Sequence, residues 1–263
     1  MTELQSATGS LYYEEAGSGP ALVLIHGFPL SGSVWCQQLA GLAGKFRLVA
    51  PDLRGFGKSA PYDIPCSMDI YADDTIMLMD HLGIEAAAVC GMSMGGYVLL
   101  NLLERYPERV NAACFMVTKA GADDAEGRSR RTALAEEIVK SGSKVAADAF
   151  SRILFASGTV ARNPDMVLHV HEIMEAASPE GLVCGLMAMR DRPDYSERLG
   201  EIKVRSLVIG AEEDLAIPFH ESEKLAAGLH DATLCMIPAA GHMVMLEQAE
   251  AVNRAIAEFL APV

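Results

Sequence analysis

Apolar residues cluster along this chain in short, nearly continuous runs rather than in alternation with polar ones. Residues 21–25, 46–50, 86–90, 110–117 and 206–211 all read this way. Runs of that length without alternation predict strands buried on both faces, the signature of a sheet covered by helices. Residues 11–15 and 233–237 predict two more strands, the first followed by the turn Gly17-Ser18-Gly19-Pro20. Elsewhere the apolar spacing is helical. Residues 67–82 carry Ile70, Tyr71, Ile76, Leu78, Met79 and Leu82 at helical intervals and stop at Gly83. Residues 94–106 predict a helix that Pro107 ends.

The texture changes near residue 120. Residues 125–140, 144–156, 164–177 and 179–189 predict helices in succession, with no strand run among them. Strand and helix then alternate again: the strand 206–211, a helix over 220–229, the strand 233–237 and a last helix over 246–260. Alternation on both sides of an all-helical block predicts an α/β fold, with a mostly parallel central sheet flanked by helices. Residues 1–119 and 199–263 would form its core, and residues 120–198 a helical insertion.

Composition narrows the functional classes. Of 263 residues, 51% are hydrophobic and 21% charged, as in an ordinary globular protein and unlike a disordered, fibrous or disulfide-dense chain. Lys and Arg number 21 against 35 Asp and Glu, a formal net charge of −14. Such a surface repels phosphate backbones and anionic headgroups, so neither a nucleic-acid nor a membrane partner is expected. No stretch approaches the ~20 uninterrupted apolar residues that span a bilayer. The start Met1-Thr2-Glu3-Leu4-Gln5-Ser6 lacks the basic-then-apolar pattern of a secretory signal, and a cytoplasmic location is the expectation. Six cysteines, at 36, 66, 90, 114, 184 and 235, include no Cys-x-x-Cys pair. Reduced, mostly buried thiols are therefore expected.

One turn carries candidate chemistry. The strand 86–90 runs directly into Gly91-Met92-Ser93-Met94-Gly95, and a helix follows. A serine between glycines on a strand-to-helix turn sits in strained backbone geometry with its hydroxyl raised above the sheet. The adjacent helix N-terminus offers free N–H groups to a developing oxyanion. Serine is a weak nucleophile, so it needs a base and an acid to orient that base. After the strand 206–211 come Glu212, Glu213 and Asp214; Glu213 and Asp214 both qualify by location, and Glu212 reads as a solvated loop residue. Among His26, His81, His169, His171, His220, His230 and His242, only His242 follows a strand end beyond the acid. His169 and His171 are two apart, a poor spacing for a shared helix face, so no metal site is expected. His26 reads as a hydrogen-bonding residue at a strand end. Oxyanion donors are expected from the backbone N–H of Met94, after the nucleophile, and of Phe28, in the loop after residues 21–25.

Taken together these motifs resemble the α/β-hydrolase superfamily over nearly the whole chain. His26-Gly27-Phe28-Pro29 is similar to its oxyanion loop, and Asp52-Leu53-Arg54-Gly55-Phe56-Gly57-Lys58-Ser59 to its Asp-x-Arg-Gly-x-Gly-x-Ser turn. Gly91–Gly95 resembles its nucleophile elbow, and Gly241-His242 its base loop. Gly210 to Asp214 has the family's Gly-x-x-x-Asp spacing, which points to Asp214 as the acid. Residues 120–198 are similar to the family's helical lid. A narrower likeness, carried by Met92 to Tyr97 and by Ala240-Gly241-His242, is to serine carboxylesterases and the 3-oxoadipate enol-lactonase-like group.

The resemblance implies hydrolysis of a small ester or lactone by Ser93, Asp214 and His242, with Phe28 and Met94 as oxyanion donors and no cofactor or metal. Met187 and Met189 are candidates to line the pocket under the lid, or simply to fill its core. The same three groups would also serve carbon–carbon bond hydrolysis of a dienoate diketone, or cofactor-free perhydrolysis. They would equally persist in a slow-turnover ligand receptor.

Overall fold

Strands without polar alternation need apolar cover on both faces, and helices supply it. The computed structural model describes residues 2–6, 9–59 and 66–261. In chain order its strands are β1 (Thr2–Ser6), β2 (Gly9–Ala16), β3 (Ala21–Ile25), β4 (Arg47–Pro51), β5 (Ala87–Met92), β6 (Val110–Met116), β7 (Ser206–Ala211) and β8 (Ala232–Ile237). They form one eight-stranded sheet in the order β1-β2-β4-β3-β5-β6-β7-β8. The pairs β1–β2 and β2–β4 are antiparallel, and every pair from β4 to β8 is parallel. The sheet is thus mostly parallel, as the order of elements predicts.

Parallel neighbours need crossovers, which helices make. α1 (Cys36–Leu42) joins β3 to β4, α2 (Met68–His81) joins β4 to β5, and α3 (Met94–Arg105) joins β5 to β6. Between β6 and β7 lie α4 (Ala125–Ser141), α5 (Lys144–Phe150), α6 (Ser157–Arg162), α7 (Pro164–Glu175) and α8 (Pro179–Asp191). α9 (Phe219–Gly228) joins β7 to β8, and α10 (Val244–Glu247) and α11 (Ala249–Phe259) follow. Because side chains alternate along a strand, neighbours enter opposite apolar layers. Val23, Val89 and Val208 pack with Tyr71, Val98, Leu102 and Leu225 from α2, α3 and α9. Leu22, Leu24, Cys90 and Ile209 pack with Leu39, Leu42, Val252 and Ile256 from α1 and α11.

Three helices of the insertion start on side-chain caps. Asp124 accepts from Gly127 N–H at α4, Asn163 from Met166 N–H at α7, and Ser178 from Gly181 N–H at α8. Pro164 and Pro179 occupy first helical positions, where no N–H is needed.

Elsewhere tertiary contacts override the local pattern. The predicted helix 144–156 stops at Phe150, and the short α6 begins at Ser157. Between them the Ala156 N–H is drawn out to Glu247 Oε2 at 2.9 Å. The predicted helix 246–260 is divided into α10 and α11 by Gln248, whose φ of −132° is not helical. β1 buries Leu4 and gains its strand form by pairing with β2.

The expectation of reduced thiols fails at two positions. Cys66 and Cys184 form a disulfide, with Cα atoms 5.2 Å apart and a sequence separation of 118. Cys66 precedes the N-cap of α2, and Cys184 lies on the buried face of α8, so the fold brings them within bonding range. The bond ties the sheet's flanking helix layer to the insertion. Cys36, Cys90, Cys114 and Cys235 are free, with Cys36 exposed and Cys90 and Cys114 buried side by side on β5 and β6.

Candidate active site

Ser93 joins β5 to α3 with φ 52° and ψ −113°, a region that non-glycine residues rarely occupy. The surroundings hold it there. Ser93 N–H donates to the Met116 carbonyl at 2.9 Å, and its own carbonyl accepts from Gly96 N–H at 2.9 Å and the Thr118 hydroxyl at 2.8 Å. Val117, between Met116 and Thr118 just past the end of β6, also has positive φ, 43°. Glycine is needed on both sides of the turn. A Cβ on Gly91 would fall on the Gly95 carbonyl, and one on Gly95 on the Ile25 carbonyl of β3. α3 and β3 can therefore approach closely enough to expose the serine.

Asp214 follows the end of β7 and is 5% exposed. Its Oδ1 accepts from Ala216 N–H at 2.8 Å and Ile217 N–H at 2.9 Å, while Oδ2 accepts from His242 Nδ1–H at 2.7 Å. The carboxylate has no proton to give, so the bond fixes the imidazole tautomer with Nε2 unprotonated. Of the two acids that qualified by location, Asp214 meets the imidazole. Glu213 turns instead to the insertion, accepting from the Ser157 hydroxyl at 3.0 Å, and Glu212 accepts from Ala239 N–H at 3.0 Å.

Ser93, His242 and Phe28 line one cavity of about 390 Å³. Ser93 Oγ and the imidazole share it without a hydrogen bond between them. The backbone N–H groups of Phe28 and Met94 have no acceptor among the described residues. The Phe28 ring packs edge-on against Phe56 and Phe150. Met189 lines the cavity with Leu186, whereas Met187 faces a separate recess beside Cys184.

His26 is fully buried behind the loop that carries Phe28. Its Nδ1–H donates to the Gly27 carbonyl at 2.8 Å and its Nε2 accepts from Leu53 N–H at 3.0 Å. Burial pushes its pKa down, which keeps it neutral and fit for both bonds. His171 pairs with Asp148 on the insertion, and His220 with Glu221. Among the described residues no three His, Cys, Asp or Glu side chains are grouped to hold a metal ion. No helix there is long and apolar enough to cross a membrane.

Two features, one beside the cavity and one in its wall, had no local signal. Glu247 clasps the histidine loop to the insertion: Oε1 accepts from Gly241 N–H at 2.8 Å, and Oε2 from Ala156 N–H at 2.9 Å and the Thr159 hydroxyl at 2.6 Å. Lys119, Asp123 and Arg131 form a charged part of the wall. Asp123 is hydrogen-bonded by Arg131 Nε and by Arg192 Nη2, the latter at 3.0 Å, and Arg192 stacks over the Tyr97 ring. Burial alone would push the Asp123 carboxyl up. The bonds and charges of Arg131 and Arg192 outweigh it and hold that carboxyl well below the usual range.

Residues 22–255 match the family described as "Alpha/beta hydrolase family". A thermophilic esterase from Thermogutta terrifontis is structurally similar, with a TM-score of 0.95 and 31% identity over 98% of this chain and 97% of that one. The chain is 29% identical to a 2-hydroxy-6-oxo-6-phenylhexa-2,4-dienoate hydrolase of Burkholderia cepacia, over 99% of each. It is also 29% identical to 3-oxoadipate enol-lactonase 2 of Acinetobacter baylyi, over 90% of this chain and 87% of that one.

Proposed function

Because this chain belongs to the alpha/beta hydrolase family, we propose that it cleaves small carboxylic esters or lactones through an acyl-enzyme on Ser93. The observation that carries this reading is the 2.7 Å bond from His242 Nδ1 to Asp214 Oδ2, beside a cavity that Ser93 and His242 both line. In this mechanism Ser93 Oγ attacks the substrate carbonyl carbon while its proton passes to His242 Nε2. Asp214 stays ionised, held by Ala216 and Ile217 N–H, and stabilises the imidazolium. The unoccupied Phe28 and Met94 N–H groups bind the oxyanion. Collapse breaks the bond to the leaving oxygen, which takes the proton from His242. For a lactone, that alcohol stays on the acyl chain. A water then gives one proton to His242 and adds its oxygen to the acyl carbon. The carboxylic acid departs and Ser93 regains its proton.

Residues 120–198 serve in this reading as a lid over residues 1–119 and 199–263, and their cavity side chains select the substrate. Replacing Ser93 by Ala is expected to lower hydrolysis of p-nitrophenyl butyrate by at least ~10³-fold. Intact-mass analysis should show a fluorophosphonate adduct on the native protein and none on the variant. Turnover by Ser93→Ala close to that of the native protein would overturn the mechanism. The Burkholderia relative is named for carbon–carbon cleavage of a dienoate. Preference for such a diketone over any ester in a substrate panel would move the reaction class while keeping the same three residues.

A further inference from the structure

A protein of formal net charge −14 has little reason to line a small cavity with cations. Yet Lys119, Arg130 and Arg131 all reach the cavity that holds Ser93 and His242, with Asp123 the one acid among its lining residues. The charge of Arg130 is answered by Glu126 at 2.5 Å on the exposed face of α4. The remaining cations share one carboxylate. Asp123 is paired with Arg131, with Arg192 at 3.0 Å and with Lys119 at 3.7 Å, so the cluster keeps a net positive charge. Two more carboxylates act at longer range without cancelling the three cations: Glu221 feels Lys119 but is itself paired with Lys224 at 2.7 Å, and Asp194 feels Arg192 while accepting from the Ala122 and Ser196 N–H groups.

The donors are also left unequal. Arg192 is sealed in, giving Nη1 to the Met189 carbonyl at 2.6 Å and Nη2 to the Gly121 carbonyl at 2.7 Å, as well as to Asp123. It anchors Asp123, and Asp123 in turn orients Arg131 through Nε. Arg131 Nη1 finds only the Met189 thioether sulfur at 3.4 Å, a weak acceptor for a cationic donor. The Lys119 ammonium, at ion-pair distance from Asp123, makes no hydrogen bond to a described residue. A preorganised guanidinium N–H and an ammonium therefore border the reaction cavity without strong acceptors of their own.

We propose that Arg131 and Lys119 form a carboxylate subsite, so that the preferred substrate is an ester or lactone carrying a second, ionised carboxylate. This rests on the serine-hydrolase reading above. A carboxylate would take the Arg131 Nη1 donor and the Lys119 charge while the scissile carbonyl lies at Ser93. The cavity, about 390 Å³, suits a small molecule with both groups. Partial burial of the cluster strengthens the attraction relative to an exposed pair.

The test compares kcat/KM for monoethyl glutarate and ethyl valerate, equal in acyl length and different in terminal charge, followed by acid release. The native enzyme is expected to favour the anionic ester at least tenfold, with the preference shrinking as salt rises from about 0.05 to about 0.5 M. Arg131→Gln should reduce the ratio about tenfold, Arg131→Glu should bring it below one, and Arg131→Lys should retain part of it. Lys119→Gln, which breaks no hydrogen bond, should also lower the ratio. Arg128→Gln removes an exposed charge from the same helix, outside the cavity, and should leave the ratio in place. A native ratio of one or less, with ethyl valerate still hydrolysed, overturns the subsite and leaves the hydrolase reading standing. So does an Arg131→Gln ratio equal to the native one, or an Arg128→Gln loss as large as that of Arg131→Gln. Hydrolysis of neither ester, without fluorophosphonate labelling of Ser93, overturns both readings.

Discussion

The two sources of the cavity wall are built differently. On the core side, the polar groups are gripped largely by backbone. Asp214 takes two backbone N–H groups, and the Ser93 backbone is held by Met116, Gly96 and Thr118. On the side that begins after β6, the polar groups grip one another. Asp123, Arg131, Arg192 and Lys119 are linked side chain to side chain, with only Arg192 pinned to backbone carbonyls. Backbone-held groups inherit the precision of the strand ends, as a reacting constellation needs. Long side chains on helices and loops can be exchanged without disturbing the sheet. Chemistry and selectivity would thus be separable by mutation.

The strongest way to break this contrast is to weaken the core side at its centre. Asp214→Asn keeps the shape of the acid but offers His242 an amide in place of a carboxylate. The wrong imidazole tautomer and the lost charge should lower kcat by about 10³–10⁴-fold, with secondary structure intact by circular dichroism. A loss under tenfold would mean that Asp214 does not orient the base. A smaller effect is expected from geometry alone. Gly95→Ala places a methyl group on the Ile25 carbonyl, forcing α3 away from β3. A shift of this kind at the reacting atom should lower kcat about 10²-fold, with little change in the ratio between anionic and neutral esters. A collapse of that ratio would show that the two walls are not independent.

This division also governs how much could be read from sequence. The strand ends were legible because buried parallel strands write continuous apolar runs, and because Ser93 sits between obligatory glycines. The candidate acid was legible only to within a residue or two, since Glu213 and Asp214 share a loop. What separates them is tertiary: Asp214 reaches His242, and Glu213 reaches Ser157. The charged cluster beside the cavity was not legible. Lys119, Arg131 and Arg192 look like any solvated charges until α4 and α8 pack together. The disulfide was equally hidden, because a separation of 118 residues leaves no spacing signal. The split of the last predicted helix, and with it the placement of Glu247, also depends on contacts distant in sequence.

That disulfide gives a third way to sharpen the comparison, since it ties α8 to the start of α2 without touching the polar groups. Cys184→Ser should destabilise the protein by ~3 kcal/mol, given the long loop the bond closes. Thermal melting should register this as a fall of about 10 °C. Denatured, unreduced protein should expose four thiols, those of Cys36, Cys90, Cys114 and Cys235. Six thiols, with no melting difference for the variant, would mean that the bond does not form in the protein as isolated. A cytoplasmic setting would then be easier to accept.

Glu247 lies outside the cavity lining but ties the histidine loop to the insertion, and its removal should have the smallest effect of the four. One carboxylate oxygen holds Gly241 N–H, next to His242, and the other holds Ala156 N–H and the Thr159 hydroxyl of the insertion. Glu247→Gln keeps the size but turns one acceptor into a donor, so one of the two grips must be lost. A single hydrogen bond to a charged group is worth ~1.5–3 kcal/mol, discounted here because Glu247 is only half-buried. A loss of about 1 kcal/mol in stability is the expected result. If the lost grip is that on Gly241, kcat for the neutral ester should fall several-fold while the anionic-to-neutral ratio holds. If it is the grip on Ala156 and Thr159, the insertion loosens and the ratio should fall with KM rising. Comparing kcat and KM for both esters separates the outcomes, and a variant unchanged in all four constants would show that the walls hold their places without this clasp.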